Sequence, residues 1–141
     1  MSVTLDASVW LAAISPGEPA HARCAAVVES LVSQRVPLHQ PGLFVIEICA
    51  TIARRTRNRR LAMAAGEAAI TLPYLIVHPL DHDLAATASD VAATCALRGA
   101  DAVYVATARH TGSTLLTLDA EVRDRVGTVA TVLTPDEWLA A

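Results

Sequence analysis

Near its N-terminus the chain reads Val3-Thr4-Leu5-Asp6-Ala7-Ser8-Val9-Trp10, in which a short apolar run stops at Asp6. The same pattern, an apolar run followed by an aspartate, recurs towards the C-terminus in Thr114-Leu115-Leu116-Thr117-Leu118-Asp119. Each apolar run is typical of a buried strand. Ligands of open parallel sheets bind beyond the carboxyl ends of the strands, where the strand order reverses. We therefore expect Asp6 and Asp119 to lie at such a site.

Strand-like and helix-like segments alternate along the rest of the chain. Strands are predicted at residues 3–5, 37–39, 75–77, 114–117 and 129–133. Helices are predicted from residue 8, then at 24–31, 43–53, from about 59 to 71, at 84–95, 101–110 and 119–126, and from residue 135. We expect Arg98 and Gly99 to cap the helix over 84–95. The alternation predicts an α/β fold with a mostly parallel sheet, in one domain over residues 1–141.

The composition excludes several functions. Apolar residues make up 53% of the chain and charged residues 18%, as in a globular protein. The net charge of −3 provides no global positive field that would attract nucleic acid. All 11 basic residues are arginines, and the sequence contains no lysine. Schiff-base enzymes, P-loop phosphate clamps and receiver-type phosphorelay sites are therefore excluded.

The cysteines and the N-terminus predict where the protein resides. Cys24, Cys49 and Cys95 are odd in number and lie in separate apolar, helix-like stretches. We expect free, buried thiols, which are typical of a reducing compartment. The N-terminus lacks the features of a signal peptide, and no apolar run approaches the roughly 20 residues of a membrane span. We therefore expect a cytoplasmic protein with no membrane segment.

Three aspartates each allow two interpretations. Asp6 and Asp119 follow predicted strands, and Asp101 precedes an apolar helix. A position beyond a strand end favours a functional site, but aspartate is also a preferred N-cap or first-turn residue of a helix. Taken singly, each aspartate fits both interpretations.

Glu47 is harder to explain as a structural residue. It interrupts an otherwise apolar helical stretch that begins at Leu43, so we expect it to be largely buried. A lone buried carboxylate costs several kcal/mol unless it is paired or bound to a metal. The nearest arginines begin about two turns later in the helix. A functional role is therefore the better interpretation of Glu47.

Four such groups together point to a divalent cation. Clustered carboxylates raise one another's pKa values unless a cation compensates. Oxygen ligands suit Mg²⁺ or Mn²⁺, which can activate water and stabilise charge on a phosphodiester. The five histidines show no ligand spacing, and no Ser-His or Cys-His set stands out.

A basic cluster follows the helix that contains Glu47. Its members are Arg54, Arg55, Arg57, Arg59 and Arg60. Guanidinium groups bind phosphate bidentately, which fits contact with a nucleic-acid backbone. A solvated helix end and pairing with an acidic partner chain fit equally, and we favour these two.

With these residues in place, the sequence resembles a PIN domain, and specifically a VapC-like toxin of a type II toxin–antitoxin pair. The resemblance covers essentially the whole chain. It rests on residues 3–10, on Glu47 in the helix after the second strand, on Arg-Gly-Ala-Asp-Ala-Val-Tyr-Val-Ala-Thr-Ala at 98–108, and on Leu-Leu-Thr-Leu-Asp-Ala-Glu-Val at 115–122. Glu47 alone would be a weak signal, whereas the other three segments are specific as an ordered set.

The resemblance implies a fold, a site and an activity. The fold is a three-layer α/β/α sandwich whose five-stranded parallel sheet has the order 3-2-1-4-5. Asp6, Glu47, Asp101 and Asp119 take the family's four acidic positions, which hold Mg²⁺ or Mn²⁺ in a metal-dependent ribonuclease. Ser8 and Thr117 match small polar positions that support this site by hydrogen bonds. Asp124 lies close enough along the chain to join or replace Asp119.

The resemblance also implies partners, namely an RNA substrate, a VapB-like antitoxin whose C-terminal segment covers the acidic groove, and a second copy in a homodimer. Two other functions stay open. One is a non-catalytic module that binds RNA or a partner. The other is a haloacid-dehalogenase-like phosphatase, which also uses an aspartate after its first strand. Such phosphatases need a second aspartate where this chain has Ser8, and a lysine that it lacks.

Overall fold

The structure is a computed structural model that describes all 141 residues. The strands are β1 Val3–Leu5, β2 Leu38–Pro41, β3 Leu75–His78, β4 Thr114–Leu116 and β5 Val132–Leu133. The helices are α1 Ala7–Ala13, α2 His21–Ser33, α3 Leu43–Thr56, α4 Arg59–Ile70, α5 His82–Cys95, α6 Gly99–Thr111, α7 Ala120–Val126 and α8 Pro135–Ala140.

The five strands form one parallel sheet in the order β3-β2-β1-β4-β5, which confirms the predicted fold class and strand order. Three residue pairs align β1 with β4, the last of them Leu5 with Leu116. The two strands therefore end at the same level. The backbone N–H of Asp6 extends this pairing by donating to the Leu116 carbonyl at 2.9 Å.

β1 and β2 diverge towards the same edge of the sheet. Their ladder pairs only Val3 with Leu38. Further along, the fully buried Gln40 side chain takes the place of the missing backbone bonds. Its Oε1 accepts from the Leu5 N–H at 2.6 Å, and its Nε2 donates to the Leu5 carbonyl at 2.8 Å. This satisfies buried backbone groups immediately before Asp6.

Hydrophobic clusters cover both faces of the sheet. The larger one has 18 buried residues, mostly from α3, α5 and α6, with Leu115 of β4. The smaller one has 12, and includes residues of α2 and Trp138 of α8 packed on Val3, Leu5 and Leu116. The successive residues Leu115 and Leu116 of β4 thus face opposite cores, as expected for a strand in the middle layer of three.

The predicted C-terminal cap of α5 and the predicted length of the fifth strand are wrong. The α5 helix ends at Cys95, where Ala96 adopts the left-handed conformation (φ 53°) and its N–H donates to the Ala92 carbonyl. Arg98 and Gly99 therefore do not cap α5; Arg98 is instead the extended N-cap residue of α6, and Gly99 is the first residue of that helix. The fifth strand covers two residues and not five, because only Val132 and Leu133 pair with β4.

The α3 helix is less buried than its apolar sequence predicted. Only Phe44 and Ile48 are buried, and Ile46 is 64% exposed. Cys49 is half-buried, against the prediction of a buried thiol, whereas Cys24 and Cys95 are buried, and all three are free. None of the helices combines the length and the apolar character that crossing a membrane requires.

Candidate active site

Asp6 lies at the edge of the sheet where β1 ends beside β4, and two hydroxyl groups hold its carboxylate. Oδ2 accepts from the Ser8 hydroxyl at 2.7 Å and from the Thr117 hydroxyl at 2.8 Å. Asp6 occupies the N-cap position of α1, but its side chain makes no capping hydrogen bond. The cap interpretation therefore does not describe this carboxylate.

Asp119 is the N-cap residue of α7, and its side chain caps that helix. Its Oδ1 accepts from the N–H groups of Glu121 at 2.8 Å and Val122 at 3.4 Å, at the start of α7. Its own N–H donates to the hydroxyl oxygen of Thr117 at 3.1 Å. Buried Thr117 thus joins the two aspartates, because it donates to Asp6 and accepts from Asp119.

Asp101 lies in the first turn of α6 and does not cap it, since the helix begins after Arg98 without a side-chain cap. Burial is the main cause that raises the pKa of Asp101, followed by the negative charges of Asp6 and Asp119. Arg98 opposes the rise only in part. Asp101 is therefore a half-buried carboxylate whose charge the chain does not neutralise.

Glu47 lies in the second turn of α3, and its Oε1 is buried without a hydrogen-bond partner. Burial is the largest cause of its raised pKa, and the charges of Asp6 and Asp101 raise it further. The neighbouring Tyr104 hydroxyl lowers this pKa, yet neither that hydroxyl nor Glu47 Oε1 reaches hydrogen-bonding geometry. An unpartnered buried carboxylate oxygen is a position where a cation would fit.

The fold thus brings the four predicted carboxylates to one edge of the sheet. There the charges of Asp6 and Asp101 act on Glu47, and the charges of Asp6 and Asp119 act on Asp101. As the side chains are placed, no three acidic, imidazole or thiol groups come together in a set that could hold a metal ion. Asp6 and Glu47 line one cleft of about 330 Å³, whereas Asp101 and Asp119 do not line it.

Two neighbours of the site were not singled out by sequence reasoning. Tyr104 is 2% exposed, and its hydroxyl is buried beside Glu47. Burial chiefly raises the pKa of this tyrosine, and the Glu47 charge adds to the rise. Glu121 raises the pKa of Asp101 and pairs with Arg125 at 2.9 Å. The spacing of Asp101 and Tyr104, one helical turn apart, was the available signal for the tyrosine.

The arginine cluster divides into two parts. All five arginines are exposed, between the end of α3 and the first turn of α4. Arg55 alone of the five lines the cleft that contains Asp6 and Glu47, and it pairs with Glu18 at 3.0 Å.

The fold and the candidate site together define a class of protein. It is an α/β protein with an acidic candidate site at the edge of a parallel sheet, where the central strands β1 and β4 end and the strand order reverses. The PIN domain family model matches residues 3–127, and the chain belongs to that family. No curated protein sequence matches the chain.

Solved structures of low sequence identity share the fold. VapC20 from Mycobacterium tuberculosis, described as a Sarcin-Ricin loop cleaving toxin, is 23% identical with a TM-score of 0.69, covering 87% of this chain and 94% of that one. DNA-bound VapBC from Salmonella typhimurium is 14% identical with a TM-score of 0.74, covering 96% and 98%. PAE2754 from Pyrobaculum aerophilum is 19% identical with a TM-score of 0.71, covering 99% and 93%.

Proposed function

We propose that this protein is a Mg²⁺- or Mn²⁺-dependent endoribonuclease and the toxin of a type II toxin–antitoxin pair. The observation that carries the proposal is the unpartnered, buried Glu47 Oε1, which lies among the charges of Asp6 and Asp101 in a chain of the PIN family. Burial without a partner is costly for a carboxylate, and a divalent cation would offset that cost.

The donor set fits a hard cation. Its members are the carboxylates of Asp6, Glu47, Asp101 and Asp119, and oxygen-only ligands suit Mg²⁺ or Mn²⁺. Such an ion, when bound, supplies an activated water and stabilises negative charge on a phosphodiester. Because no three ligands converge as the side chains are placed, we expect Glu47 and Asp101 to change rotamer when the cation binds.

The chain's own residues contribute by holding the donors in position. The hydroxyls of Ser8 and Thr117 fix Asp6 Oδ2 and leave Oδ1 for a ligand. The first N–H groups of α7 fix Asp119 Oδ1 and leave Oδ2. Carboxylates that protein donors orient in advance are expected to bind a cation with less loss of side-chain freedom. This is the supporting role that we propose for Ser8 and Thr117.

We propose a VapB-like antitoxin as the partner. The support is that similar folds occur in toxin–antitoxin structures, including a complex from Klebsiella pneumoniae that is 16% identical to this chain. We also propose a homodimer, a cytoplasmic location and one domain over residues 1–141. Exposed apolar side chains favour the dimer: Ile46, Leu61, Met63, Ile70, Ile76, Val77 and Leu80.

A non-catalytic PIN module that binds RNA or a partner is the second candidate. One observation favours it, namely the absence of a ready-made set of three metal ligands. Titration with Mn²⁺ separates the two candidates, because a module with an idle site would show no affinity for the ion.

The direct test is cleavage of RNA with Mn²⁺ and with EDTA. We expect cleavage by the wild type in Mn²⁺ only, and none above the EDTA background for Asp6→Asn or Asp101→Asn. Asp90→Asn is the matched control, since Asp90 is an exposed aspartate of α5 that pairs with Arg109. Cleavage by Asp101→Asn at the wild-type rate would show that the site is wrongly assigned, and cleavage in EDTA would show that no metal is needed.

A further inference from the structure

One face of α3 connects the carboxylates to a single arginine. Glu47, Thr51 and Arg55 are spaced four residues apart, so they form one stripe along the helix. All three line the cleft that also contains Asp6 and Ser8. At a rise of 1.5 Å per residue, Arg55 lies about 12 Å along the helix from Glu47. Asp6 and Glu47 thus lie towards one end of the cleft, and Arg55, the only arginine of its lining, lies towards the other, beside Glu18.

The ion pair of Arg55 crosses the cleft and is easily exchanged. Glu18, in the loop between α1 and α2, contacts Arg55 at 3.0 Å, and the two side chains are 36% and 47% exposed. Exposed ion pairs contribute little stability, because water and salt screen them. A phosphate offers the same guanidinium a bidentate, charge-assisted partner. Glu18 can thus hold Arg55 in the cleft and release it to a phosphate.

We infer that Arg55 binds a backbone phosphate of single-stranded RNA beside the scissile position, and that Glu18 competes with the RNA for it. The inference rests on the proposed function: an RNA whose phosphodiester reaches Asp6 and Glu47 must continue along the cleft that holds both. The cleft extends past Thr51 to Arg55, so a neighbouring phosphate is the group that would meet the guanidinium.

The test measures RNA binding without cleavage, using the full chain with Asp101→Asn in every protein. The probe is a fluorescently labelled single-stranded RNA of mixed sequence, followed by anisotropy over a range of salt concentrations. We expect Arg55→Gln to weaken binding roughly tenfold and to reduce the salt slope by about 0.7, the loss of one phosphate contact to a single strand. Arg60→Gln removes the same charge outside the cleft and is expected to leave affinity nearly unchanged.

Glu18→Gln gives the opposite sign. We expect RNA to bind several-fold more tightly, because its competitor for Arg55 is gone. Glu29→Gln removes an equal charge from an exposed position of α2 and is the matched control. All four residues lie outside the buried core, so folding is expected to survive, and thermal unfolding of each variant checks this.

Three results overturn the inference. Equal weakening by Arg55→Gln and Arg60→Gln would mean general charge attraction, and wild-type RNA affinity for Arg55→Gln would mean no contact. Polyglutamate serves as a model of an acidic protein partner. If Arg55→Gln weakened binding of polyglutamate and left RNA binding unchanged, Arg55 would be assigned to a protein partner. The proposed function fails separately: RNA bound through Arg55 but never cleaved by the protein with Asp101 intact would contradict that function alone.

Discussion

The four carboxylates of the candidate site form two pairs that the chain treats differently. Asp6 and Asp119 accept hydrogen bonds from hydroxyl and backbone N–H groups. Glu47 and Asp101 are half-buried and have raised pKa values, with burial as the largest cause. Thr117 joins the first pair, whereas the Tyr104 hydroxyl, which lies beside Glu47 of the second pair, makes no hydrogen bond.

This difference separates positioning from charge compensation. Hydrogen bonds hold the carboxylates of Asp6 and Asp119 in place, so these two keep their geometry without a cation. Glu47 and Asp101 bury charge that Tyr104 and Arg98 offset only in part, and they repel Asp6 as well. The need for a cation therefore lies with the second pair, and variants of the two pairs should respond differently.

The largest expected effect is stabilisation of the wild type by Mn²⁺. At 100 times the dissociation constant, a ligand of the folded state raises the free energy of unfolding by about 2.7 kcal/mol. We expect this increase for the wild type and Asp90→Asn, and its loss for Asp101→Asn and Glu47→Gln. Urea unfolding with and without Mn²⁺ measures it. Full stabilisation of Asp101→Asn would remove the distinction between the pairs.

The next largest effect is the difference in the free energy of unfolding between the asparagine and alanine variants of one position. Asparagine keeps an acceptor oxygen and alanine does not. At Asp6, alanine leaves the buried Thr117 hydroxyl without an acceptor, so we expect it to be less stable than asparagine by about 1–3 kcal/mol. At Asp101 we expect the two variants to agree within about 1 kcal/mol, as helix propensities alone would give.

Urea unfolding in EDTA measures these four variants free of metal. If alanine were less stable than asparagine by the same amount at Asp6 and at Asp101, Asp101 would also have a hydrogen-bond donor within the protein. Asp119 accepts hydrogen bonds as Asp6 does, so the same comparison can be made there. Asp119→Ala loses the N-cap of α7, and we expect it to be less stable than Asp119→Asn by about 1 kcal/mol.

The partnered pair was the more predictable from sequence. A strand that ends in aspartate places the carboxylate at the carboxyl edge of a parallel sheet by chain geometry alone, and this is where Asp6 and Asp119 lie. Their two interpretations could not be separated in advance. The structure makes Asp119 a cap and Asp6 none, because only at α7 does the side chain turn back towards the helix N–H groups.

The surroundings of Glu47 and Asp101 were harder to predict, because they depend on tertiary contacts that no local sequence pattern encodes. Glu47 was noticed because it interrupts an apolar stretch, but the stretch overstated burial, since Ile46 points outward. The start of α6 was predicted too late because the pair Arg98-Gly99 resembles a helix C-terminus. The residue that ends α5 in the left-handed conformation is Ala96, and alanine has no intrinsic preference for that conformation. Arg55 could not be told from its four neighbours until the cleft was known.

Two hydroxyl deletions sharpen the comparison at smaller scale. Thr117→Val removes a hydroxyl that makes two hydrogen bonds, so we expect a loss of about 1–2 kcal/mol in the free energy of unfolding. Tyr104→Phe removes a buried hydroxyl that makes none, so we expect a change near zero or a gain. Tyr74→Phe, at an exposed tyrosine, is the control. A loss for Tyr104→Phe as large as that for Thr117→Val would mean that the Tyr104 hydroxyl does make a hydrogen bond, to Glu47 or to the backbone of Ala7.

The smallest expected effect is in the pH dependence of stability without metal. The folded-state pKa values of Glu47 and Asp101 are raised, so above about pH 4 the unfolded chain loses protons that the folded chain retains. The free energy of unfolding contributed by these groups therefore falls as pH rises from their ordinary pKa values through the raised ones, and is level above that window.

Urea unfolding in EDTA across this range, compared between variants, isolates the contribution. Relative to the wild type, Glu47→Gln and Asp101→Asn should each gain stability as pH rises through this window. A wild-type curve parallel to that of Asp101→Asn would place the Asp101 charge in water and not among its neighbours. Asp101 would then have no need of a cation, and within the second pair that need would rest on Glu47 alone.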